Sequence, residues 1–454
     1  MFRKIITIVV FLFLPACAWA ACTGSSPTWT TDGNEWADVS ECLSEGTFSG
    51  GDTVNVIAGD GAANWGSVTI TEGVLLIGPG ASNLTVTSHI TYTPSSPAND
   101  DPFRFSAFTV NCSSSGGCFA LGLISNDVPQ TQIRIDNNTF TNTARTFFQT
   151  NGFYYGVFDN NTVSGGPHFD MYATNACDDW AEAENNPSTH GISPGSALNF
   201  YVEDNTFNTD DVFATAGGHG GRSVWRYNTF NWTNSGDFPS PGFDTHGNQT
   251  TVPAGTLVFE AYGNLVQGSM SSSAMELFDM RGGTYRVFFN RSDSSSSYIA
   301  FTNREDSYGC DSVSCSGAYV QRIVDSYNWN NVDAPGDPPQ FSTGSGSCPG
   351  EDIAANVNFW NQDDSFDGTS GTGCGTLGSR PATCTTGVGY FATNQNCSDV
   401  DDANVGANPT TPISGTLYKC TSTDTWESYY TPYTYPHPLR EESTPCTNCG
   451  VTIN

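Results

Sequence analysis

The sequence predicts an all-β fold in which the chain winds repeatedly as a parallel β-coil. One observation is a series of short β-prone runs, such as IRIDNNTF, that each end on an asparagine. A second is their spacing, 23 residues in the shortest interval, which is about one turn of such a coil. A third is the alternation of apolar residues before the asparagine, for example Ile133 and Ile135, which should point into a common core.

The asparagines that end these runs form a column when the runs are aligned. They are Asn138, Asn161, Asn205, Asn228, Asn264, Asn290 and Asn328. Successive members are 23, 44, 23, 36, 26 and 38 residues apart, and we interpret the interval of 44 as two turns. Asparagine tolerates the left-handed backbone region and can bond an asparagine one rung above, so the column predicts a stacked ladder. Glycosylation explains the column less well, because Asn205 and Asn228 lack the N-x-S/T context.

Several segments together resemble a known superfamily. They are the Val/Ile/Thr-rich strands of residues 51–80, the NNTF-type rungs, the MRGG of residues 280–283 and the closing YTPYTYPHPL of residues 430–439. They look like the pectin-lyase-like superfamily and, more narrowly, a group of exported bacterial β-helix repeat proteins. The resemblance implies a single-stranded right-handed parallel β-helix. It leaves the activity open, because the superfamily contains lyases, glycoside hydrolases, esterases and non-catalytic binders.

The same resemblance organises the chain into four parts. Residues 1–20 read as a signal peptide, residues 21–50 as an N-terminal cap, residues 51–334 as the β-helix, and residues 335–454 as a disulfide-stapled loop region. The cap would cover a sheet edge that the open end of the coil otherwise exposes. The loop region is expected to pack on the coil rather than form a separate domain.

The first twenty residues predict export. Arg3 and Lys4 precede an apolar run that is too short to span a bilayer, and Ala18-Trp19-Ala20 matches a signal-peptidase site. We therefore expect a secreted or periplasmic protein with no membrane span. The alternative is a lipobox that anchors a lipoprotein through Cys17.

Cysteine usage fits an oxidising compartment, where disulfides persist. The pairs expected from their spacing are Cys22/Cys42, Cys112/Cys118 and Cys310/Cys315, while Cys177 needs a distant partner. Seven more cysteines lie between Cys348 and Cys449. The CxxC at Cys446 and Cys449 is interpreted as a staple, because no second CxxC or histidine pair accompanies it to suggest zinc.

Charge limits the possible partners. The chain carries 46 acidic against 15 basic side chains, for a formal net charge of −31. Nucleic acids and anionic membranes need a basic footprint and are therefore excluded as partners. An acidic polysaccharide would require a local arginine cluster or bridging cations. We expect a monomer.

Candidate catalytic residues come from PGFDTHGNQ, residues 241–249, which contains Asp244 and His246. Aligning HGGRSVWRYN with RGGTYRVFFN places His219 and Arg281 nine residues before their ladder asparagines, with one rung between them. Stacked strands lie about 4.8 Å apart, so these two residues should be about 10 Å from each other. The sequence therefore predicts that Asp244, His246, His219 and Arg281 gather on one face.

Each of these residues also has a purely structural interpretation. Asp244 could cap a turn, His246 could satisfy loop backbone, and His219 could be a turn residue. Arg281 could pair with Asp279 or Glu276. Three other arginines of the coil are expected to form surface ion pairs. They are Arg222, Arg226 and Arg286.

A calcium site is a further possibility, because hard oxygen ligands on a rigid turn suit Ca²⁺. The candidate ligands are Asp204, Asp210 and Asp211. Residues 208–220 also spell the N-T-D, D-D and G-H-G signatures of the polygalacturonase family, which spreads them over successive turns. Their position on one short stretch departs from that pattern, so hydrolysis by paired carboxylates stays only an alternative.

The function predicted is cleavage of an acidic, uronate-containing polysaccharide by β-elimination. Arg281, with Ca²⁺ as a possible cofactor, would neutralise the sugar carboxylate, and a histidine would act as base or acid. One alternative is a glycoside hydrolase of the same fold. Another is a non-catalytic carbohydrate-binding or surface protein that stacks sugars on aromatic side chains. The candidate stacking platforms are Trp225, Trp232 and Tyr262.

Overall fold

The computed structural model describes most of the chain, and all structural statements below concern that part. The described residues are 22–112, 117–124, 128–143, 147–166, 168–172, 194–209, 216–218, 220–232, 242–245, 255–268, 276–293, 300–304, 323–333, 339–344, 353–398 and 400–441. The signal peptide and lipobox predictions lie outside these residues. So do the cysteine predictions at Cys177, Cys310, Cys315, Cys446 and Cys449.

The described part of the chain is all-β, with 49% of the described residues in strands and 6% in helices. The strands of the N-terminal half are β1 Cys22–Ser25, β2 Thr28–Thr31, β3 Asp52–Asn55, β4 Ala62–Ile70, β5 Val74–Ile77, β6 Thr85–Tyr92, β7 Phe103–Ser106, β8 Thr109–Asn111, β9 Phe119–Leu121, β10 Gln130–Asp136, β11 Thr139–Thr143, β12 Phe148–Asn151, β13 Tyr154–Asp159, β14 Thr162–Gly165, β15 Phe169–Tyr172, β16 Phe200–Glu203 and β17 Thr206–Thr209. Those that follow are β18 Ala216–Gly218, β19 Arg222–Arg226, β20 Thr229–Trp232, β21 Phe243–Thr245, β22 Val258–Tyr262, β23 Leu265–Gly268, β24 Glu276–Met280, β25 Thr284–Phe288, β26 Arg291–Ser292, β27 Ala300–Arg304, β28 Ser326–Trp329, β29 Gln340–Gly344, β30 Phe359–Trp360, β31 Thr372–Gly375, β32 Gly389–Ala392, β33 Thr416–Ser422 and β34 Thr425–Tyr430. The helices are α1 Trp36–Leu43 and the 3₁₀ turns Pro97–Asn99, Leu377–Ser379 and Pro438–Arg440.

Two long sheets make up the coil. Sheet A has 13 strands in the order β1-β2-β3-β5-β7-β10-β13-β16-β19-β22-β25-β28-β30, and sheet B has 17. Apart from the β1–β2 hairpin, neighbouring strands of both sheets run parallel. The chain alternates between the sheets, with one strand in A followed by one or two in B. This arrangement confirms the predicted all-β parallel architecture and is compatible with a parallel β-helix.

Sheet B consists of two strips that meet at β6. Strip B1 contains β4, β6, β8, β11, β14, β17, β20, β23 and β26, and strip B2 contains β9, β12, β15, β18, β21, β24, β27 and β29. The inward positions of strip B2 carry a stack of aromatic rings. Phe243 and Phe278 stack at 5.0 Å, and Phe278 and Phe301 stack at 4.7 Å. This stack fixes which side chains of the strip face outward, because residues alternate along a strand.

The predicted core pattern is confirmed. Ile133 and Ile135 are fully buried in one continuous apolar cluster between the sheets. Val202 belongs to the same cluster, whereas its neighbour Tyr201 packs on the other side of sheet A against the C-terminal region. Both faces of this part of sheet A are therefore covered, which explains why its strands contain few exposed residues.

The asparagine ladder is confirmed from Asn138 to Asn290. Each side-chain oxygen accepts the backbone N–H of the asparagine one rung before it, as Asn161 does from Asn138 at 2.9 Å. The last member is Asn331 rather than the predicted Asn328, since Asn290 donates to Asn331 at 3.1 Å. Asn328 lies within β28 instead, three residues too early for the corner between the sheets.

Two details of the ladder differ from the prediction. The left-handed residue is the one that precedes each ladder asparagine, as at Asn160 (φ 53°) and Tyr227 (φ 55°). The interval of 44 residues is a single turn, because Asn161 bonds Asn205 directly at 2.9 Å and β13 pairs with β16. The additional residues lie after Tyr172, the last residue of β15.

The N-terminal segment continues sheet A and covers its end. Strand β2 pairs in parallel with β3, and the disulfide Cys22–Cys42 ties β1 to helix α1. Helix α1 packs its Trp36 ring 5.5 Å from that of Trp65 on β4. The second predicted pair, Cys112–Cys118, is also formed.

The C-terminal region contains more regular structure than predicted. Strands β31–β34 form a four-stranded sheet that two disulfides hold, Cys374–Cys397 and Cys384–Cys420. Phe391 of this sheet packs against Trp329 of the coil at 5.1 Å. Residues 431–441, which we name the C-terminal strap, then run along the outer face of sheet A.

The strap covers charged side chains that the sequence suggests are exposed. Arg226 is fully buried, and its Nε donates to Glu203 at 2.6 Å while its other nitrogens donate to the carbonyls of Tyr433 and Thr434. Arg440 of the strap also donates to Glu203, at 2.9 Å. The prediction of surface ion pairs is therefore wrong for Arg226. It is wrong as well for Arg222 and Arg286, which are 6% and 1% exposed.

Candidate functional site

A repeated tetrapeptide places polar side chains on the outer face of strip B2. The sequence reads FDMY at residues 169–172, FDTH at 243–246 and FDMR at 278–281. The phenylalanines point inward, so the aspartates that follow them point outward. In register, Asp170 lies opposite Ala216, Ala216 opposite Asp244, and Asp244 opposite Asp279. We name Asp170, Asp244 and Asp279 the FD column.

Asp244 and Arg281 meet on this face, as predicted. The Nε atom of Arg281 donates to Asp244 Oδ1 at 2.7 Å, and its Nη2 donates to Oδ2, which completes a bidentate pair. The same Nε lies 3.5 Å from Asp279 Oδ2. The structural alternative for Arg281, pairing with Asp279, therefore applies at the same time. The Glu276 side chain lies outside the described residues.

Backbone bonds hold this arginine in place. The Arg281 N–H donates to both the carbonyl and the Oγ1 of Thr245, at 3.1 and 3.0 Å. The neighbouring rung therefore holds Arg281 both at its backbone N–H and at its guanidinium. About 9% of the Arg281 side chain and 18% of the Asp244 side chain remain exposed, which leaves the pair reachable from solvent.

A second group lies at the other end of the FD column. His168 Nδ1 and Asp170 Oδ1 are 3.3 Å apart, and Tyr172 Oη donates to the same Asp170 oxygen at 3.3 Å. Burial, together with the charges of Asp170 and Asp244, raises the pKa of Tyr172 well above its usual range. Tyr172 therefore stays protonated at neutral pH.

The described part of this face is acidic. The column contributes three carboxylates, and Arg281 is the guanidinium that contacts two of them. A narrow pocket opens beside Tyr172, with Thr150, Tyr155, Gly221 and Arg222 among its lining residues. The face thus combines carboxylates, an imidazole, a phenol and a paired cation within a few rungs. Such a group can exchange protons with a bound ligand.

Sequence reasoning missed His168, Asp170 and Tyr172. The signal that could have found them is the FD-containing tetrapeptide, which recurs three times with a polar fourth residue. The asparagines that define the repeat mark the corner after sheet A rather than strip B2. The repeat also makes His246 the sequence equivalent of Tyr172 and Arg281.

His219 and His246 lie outside the described residues, so their predicted roles stay predictions. The strands next to them are described. Strand β18 ends at Gly218, directly before His219, and β21 ends at Thr245, directly before His246. Both strands belong to strip B2 and are neighbours of each other.

Asp204 lies away from this face, under the C-terminal strap. Its carboxylate accepts the Tyr435 hydroxyl at 2.8 Å and the Asn408 N–H at 2.6 Å, and it pairs with Arg440. Burial raises its pKa despite the nearby Arg440. Its visible contacts therefore anchor the strap. The other two proposed calcium ligands, Asp210 and Asp211, lie outside the described residues, and within those residues no three metal-ligating side chains are grouped to hold an ion.

None of the three predicted stacking platforms exposes its ring, since Tyr262 is only 1% exposed. Trp225 and Trp232 belong to the core between the sheets and are 0% and 4% exposed. They occupy inward positions of their strands, where apolar burial is favourable. Tyr262 faces the opposite way and packs with the C-terminal region.

The fold and this face define a class, an all-β protein of long parallel sheets with a row of carboxylates along one outer strip. A scan against protein families finds no matching model, and neither curated proteins nor solved structures give a match. In the described ranges the helices are too short or too polar to span a bilayer. The four disulfides among them are compatible with an extracellular location.

Proposed function

We propose that this chain is a right-handed parallel β-helix that cleaves an extracellular polysaccharide on the outer face of strip B2. The observation that carries the proposal is the FD column, which aligns Asp170, Asp244 and Asp279 on one face with a histidine, a tyrosine and an arginine beside them. The resemblance to pectin-lyase-like proteins supports the same reading. A row of polar groups along stacked rungs suits an extended sugar chain.

Hydrolysis is the reaction that this geometry supports best. Asp244 would take a proton from an attacking water, and the His168–Asp170 pair would deliver a proton to the leaving sugar oxygen. Asp170 would stabilise the charged imidazole at their 3.3 Å contact. Asp170 and Asp244 are two rungs apart, or about 10 Å from Cα to Cα. Inverting glycosidases place their two carboxyl groups about 6.5–9.5 Å apart to leave room for water.

Charge favours a neutral substrate over a uronate. Arg281, the cation expected to neutralise a sugar carboxylate, already contacts Asp244 and Asp279. A uronate approaching this face would come close to the carboxylates of Asp170 and Asp244, so repulsion would oppose its binding.

Elimination remains the second candidate, because Tyr172 is a protonated acid next to a histidine. In that reaction the His168–Asp170 pair would remove the proton beside the sugar carboxylate, and the Tyr172 O–H would protonate the leaving oxygen. The uronate charge would then need an added cation such as Ca²⁺. Elimination by this face is therefore expected to require a divalent ion.

The test is a screen of neutral and uronate polysaccharides with and without chelator. Hydrolysis produces reducing ends without unsaturation, and chelator leaves the rate unchanged. Elimination produces an unsaturated sugar that absorbs in the ultraviolet, and chelator abolishes it. If no polysaccharide yields either product, the cleavage proposal is wrong, and retained glycan binding would identify a non-catalytic binder.

A variant pair ties the activity to this face. Asp244→Asn should lower the cleavage rate at least about 100-fold, since it removes the proton acceptor. The matched control is Asp402→Asn, which changes an aspartate paired with Arg291 at the surface, where the Asp402 side chain is 90% exposed. Equal activity in the two variants would remove Asp244 from the proposed mechanism.

A further inference from the structure

A second concave surface lies on the outer face of sheet A, between the C-terminal strap and residues 412–415. Its cavity volume is about 280 Å³. The lining consists of Tyr227 and Tyr262 of the coil, residues 412–415, and residues 431–435 of the strap. We name this surface the tyrosine groove. It belongs to a different sheet from the FD column and shares no lining residue with it.

The bottom of the groove is a rigid aromatic layer. The rings of Tyr227 and Tyr262 meet edge to face at 5.6 Å, and the ring of Tyr435 lies 4.4 Å from that of Tyr227. Each hydroxyl is tied to the protein. Tyr262 accepts from Arg226 at 2.9 Å, Tyr227 accepts from the Ile413 N–H at 2.9 Å, and Tyr435 donates to Asp204 at 2.8 Å. The rings are therefore held in place before any ligand arrives.

Hydroxyl groups surround the mouth of the groove. Ser414, Thr431 and Thr434 are exposed there, and Tyr433 is partly exposed at one wall. Serine and threonine hydroxyls both donate and accept hydrogen bonds, so they suit a ligand that carries several hydroxyls of its own.

None of the groove's lining residues is charged. The nearest guanidinium, that of Arg226, is fully buried and bonded to Glu203 and to two strap carbonyls. A carboxylate or phosphate would find no lining cation here, and the net charge of −31 would repel it at long range.

The geometry points to one neutral sugar residue as the occupant of the tyrosine groove. The cavity is near the lower end of the range for small-molecule sites, about 300 Å³, which suits a single ring rather than a long chain segment. The apolar face of a sugar ring would pack on the partly exposed rings of Tyr433, at one wall, and Tyr435, at the bottom. Its hydroxyls would bond to the rim. The groove thus forms a glycan-binding site separate from the face proposed for cleavage.

The experiment is ligand-observed saturation-transfer NMR on the full chain. The probes are the methyl glycosides of glucose, galactose, mannose and xylose, together with methyl glucuronide. At least one neutral glycoside should bind, and the glucuronide should bind at least about tenfold more weakly. Absence of binding by all the neutral glycosides, or equal binding of the glucuronide, would overturn the proposal.

Two variants locate the binding. Tyr433→Ala should weaken the best neutral ligand at least about tenfold, because it removes a wall of the groove. Ser414→Trp places a large ring in the mouth from an exposed position, so it should block binding while the thermal midpoint stays unchanged. The matched control is Tyr418→Ala, a partly buried tyrosine of the same region that lines no part of the groove. Binding that survives both groove variants places the sugar elsewhere and refutes the assignment.

A negative result for sugar binding at the tyrosine groove can be distinguished from a negative result for cleavage on strip B2. Asp244→Asn changes only strip B2, so it should leave glycoside binding at the groove intact. Ser414→Trp should in turn leave the cleavage of short substrates intact.

Discussion

Charged pairs stand on the outer faces of both sheets, but they have different surroundings. On sheet A, Arg226 and Glu203 are fully buried, because the C-terminal strap lies over them and uses their nitrogens and oxygens to bind its backbone. On strip B2, Arg281 and Asp244 keep 9% and 18% of their side chains exposed. The outward ion pair that the strap covers is therefore fully buried, and the one that it leaves uncovered keeps some exposure to solvent.

The largest expected effect is on the covered pair. Arg226→Ala should lower the free energy of unfolding by about 3–5 kcal/mol. The reason is that Glu203 stays charged and buried but loses one of its two arginine partners, keeping only Arg440. Urea unfolding followed by tryptophan fluorescence would measure it. Arg291→Ala is the control, since its partner Asp402 is exposed, and its cost should stay below about 1 kcal/mol. Similar losses in the two variants would mean that the strap does not isolate Arg226 from solvent.

For the uncovered pair, Arg281 and Asp244, substitution should affect cleavage more than stability. Arg281→Ala should cost about 1–3 kcal/mol of stability, less than Arg226→Ala, because water can reach Asp244 although the second contacted carboxylate, Asp279, is buried. The same change should reduce polysaccharide cleavage by about 100-fold, since it releases Asp244 from its fixed position. Unfolding and cleavage measured on one preparation would separate the two effects. A large loss of stability with full activity would make this pair structural as well.

Substitution of a ladder asparagine, at the corner between the two sheets, should have a smaller effect on the free energy of unfolding. Asn228→Ala should cost about 1–3 kcal/mol, because it leaves the buried N–H of Asn205 without its acceptor. Asn231→Ala, three residues later on the outward side of the same rung, should cost about 0.5 kcal/mol or less. Thermal unfolding of the two variants would test this. Equal costs would show that the ladder adds nothing beyond an ordinary polar contact.

The smallest expected effect is the net change of stability at acidic pH that arises from His437 of the strap and from Asp159, which contacts Arg440 of the strap. Burial lowers the pKa of His437 to about 4, so the unfolded chain binds a proton more readily, and stability is lost as pH falls from about 6.5 to about 4. Burial raises the pKa of Asp159 to about 6, so the folded chain binds the proton more readily, and stability is gained as pH falls from about 6 to about 4. The two contributions oppose each other.

Single variants should separate these contributions. Asp159→Asn should unmask a loss of stability on acidification, and His437→Gln should unmask a gain, each measured by urea unfolding at several pH values between about 4 and 7. A pH profile that neither substitution changes would contradict this assignment to the strap.

Much of the coil could be predicted from residue pattern, because its rules are local. Alternation placed Ile133 and Ile135 in the core, and the asparagine column located six rungs. It failed at Asn328 because that run contains several asparagines, and the register of β28 places Asn328 opposite Val287 and Asn331 in line with Asn290. The FD-containing tetrapeptide was equally visible, yet nothing in the sequence ranks one repeat above another as a functional face.

The sequence by itself was enough to predict the all-β class, the ladder and the placement of Asp244 and Arg281 on one face, because stacking in a coil brings neighbouring rungs together. Only the tertiary structure decided which outward charges are covered. The strap that buries Arg226 comes from more than two hundred residues later in the chain, at Tyr433 and Thr434. Burial depends on such distant contacts, which no local pattern encodes, so the exposure of an outward charged pair could not be predicted from the sequence.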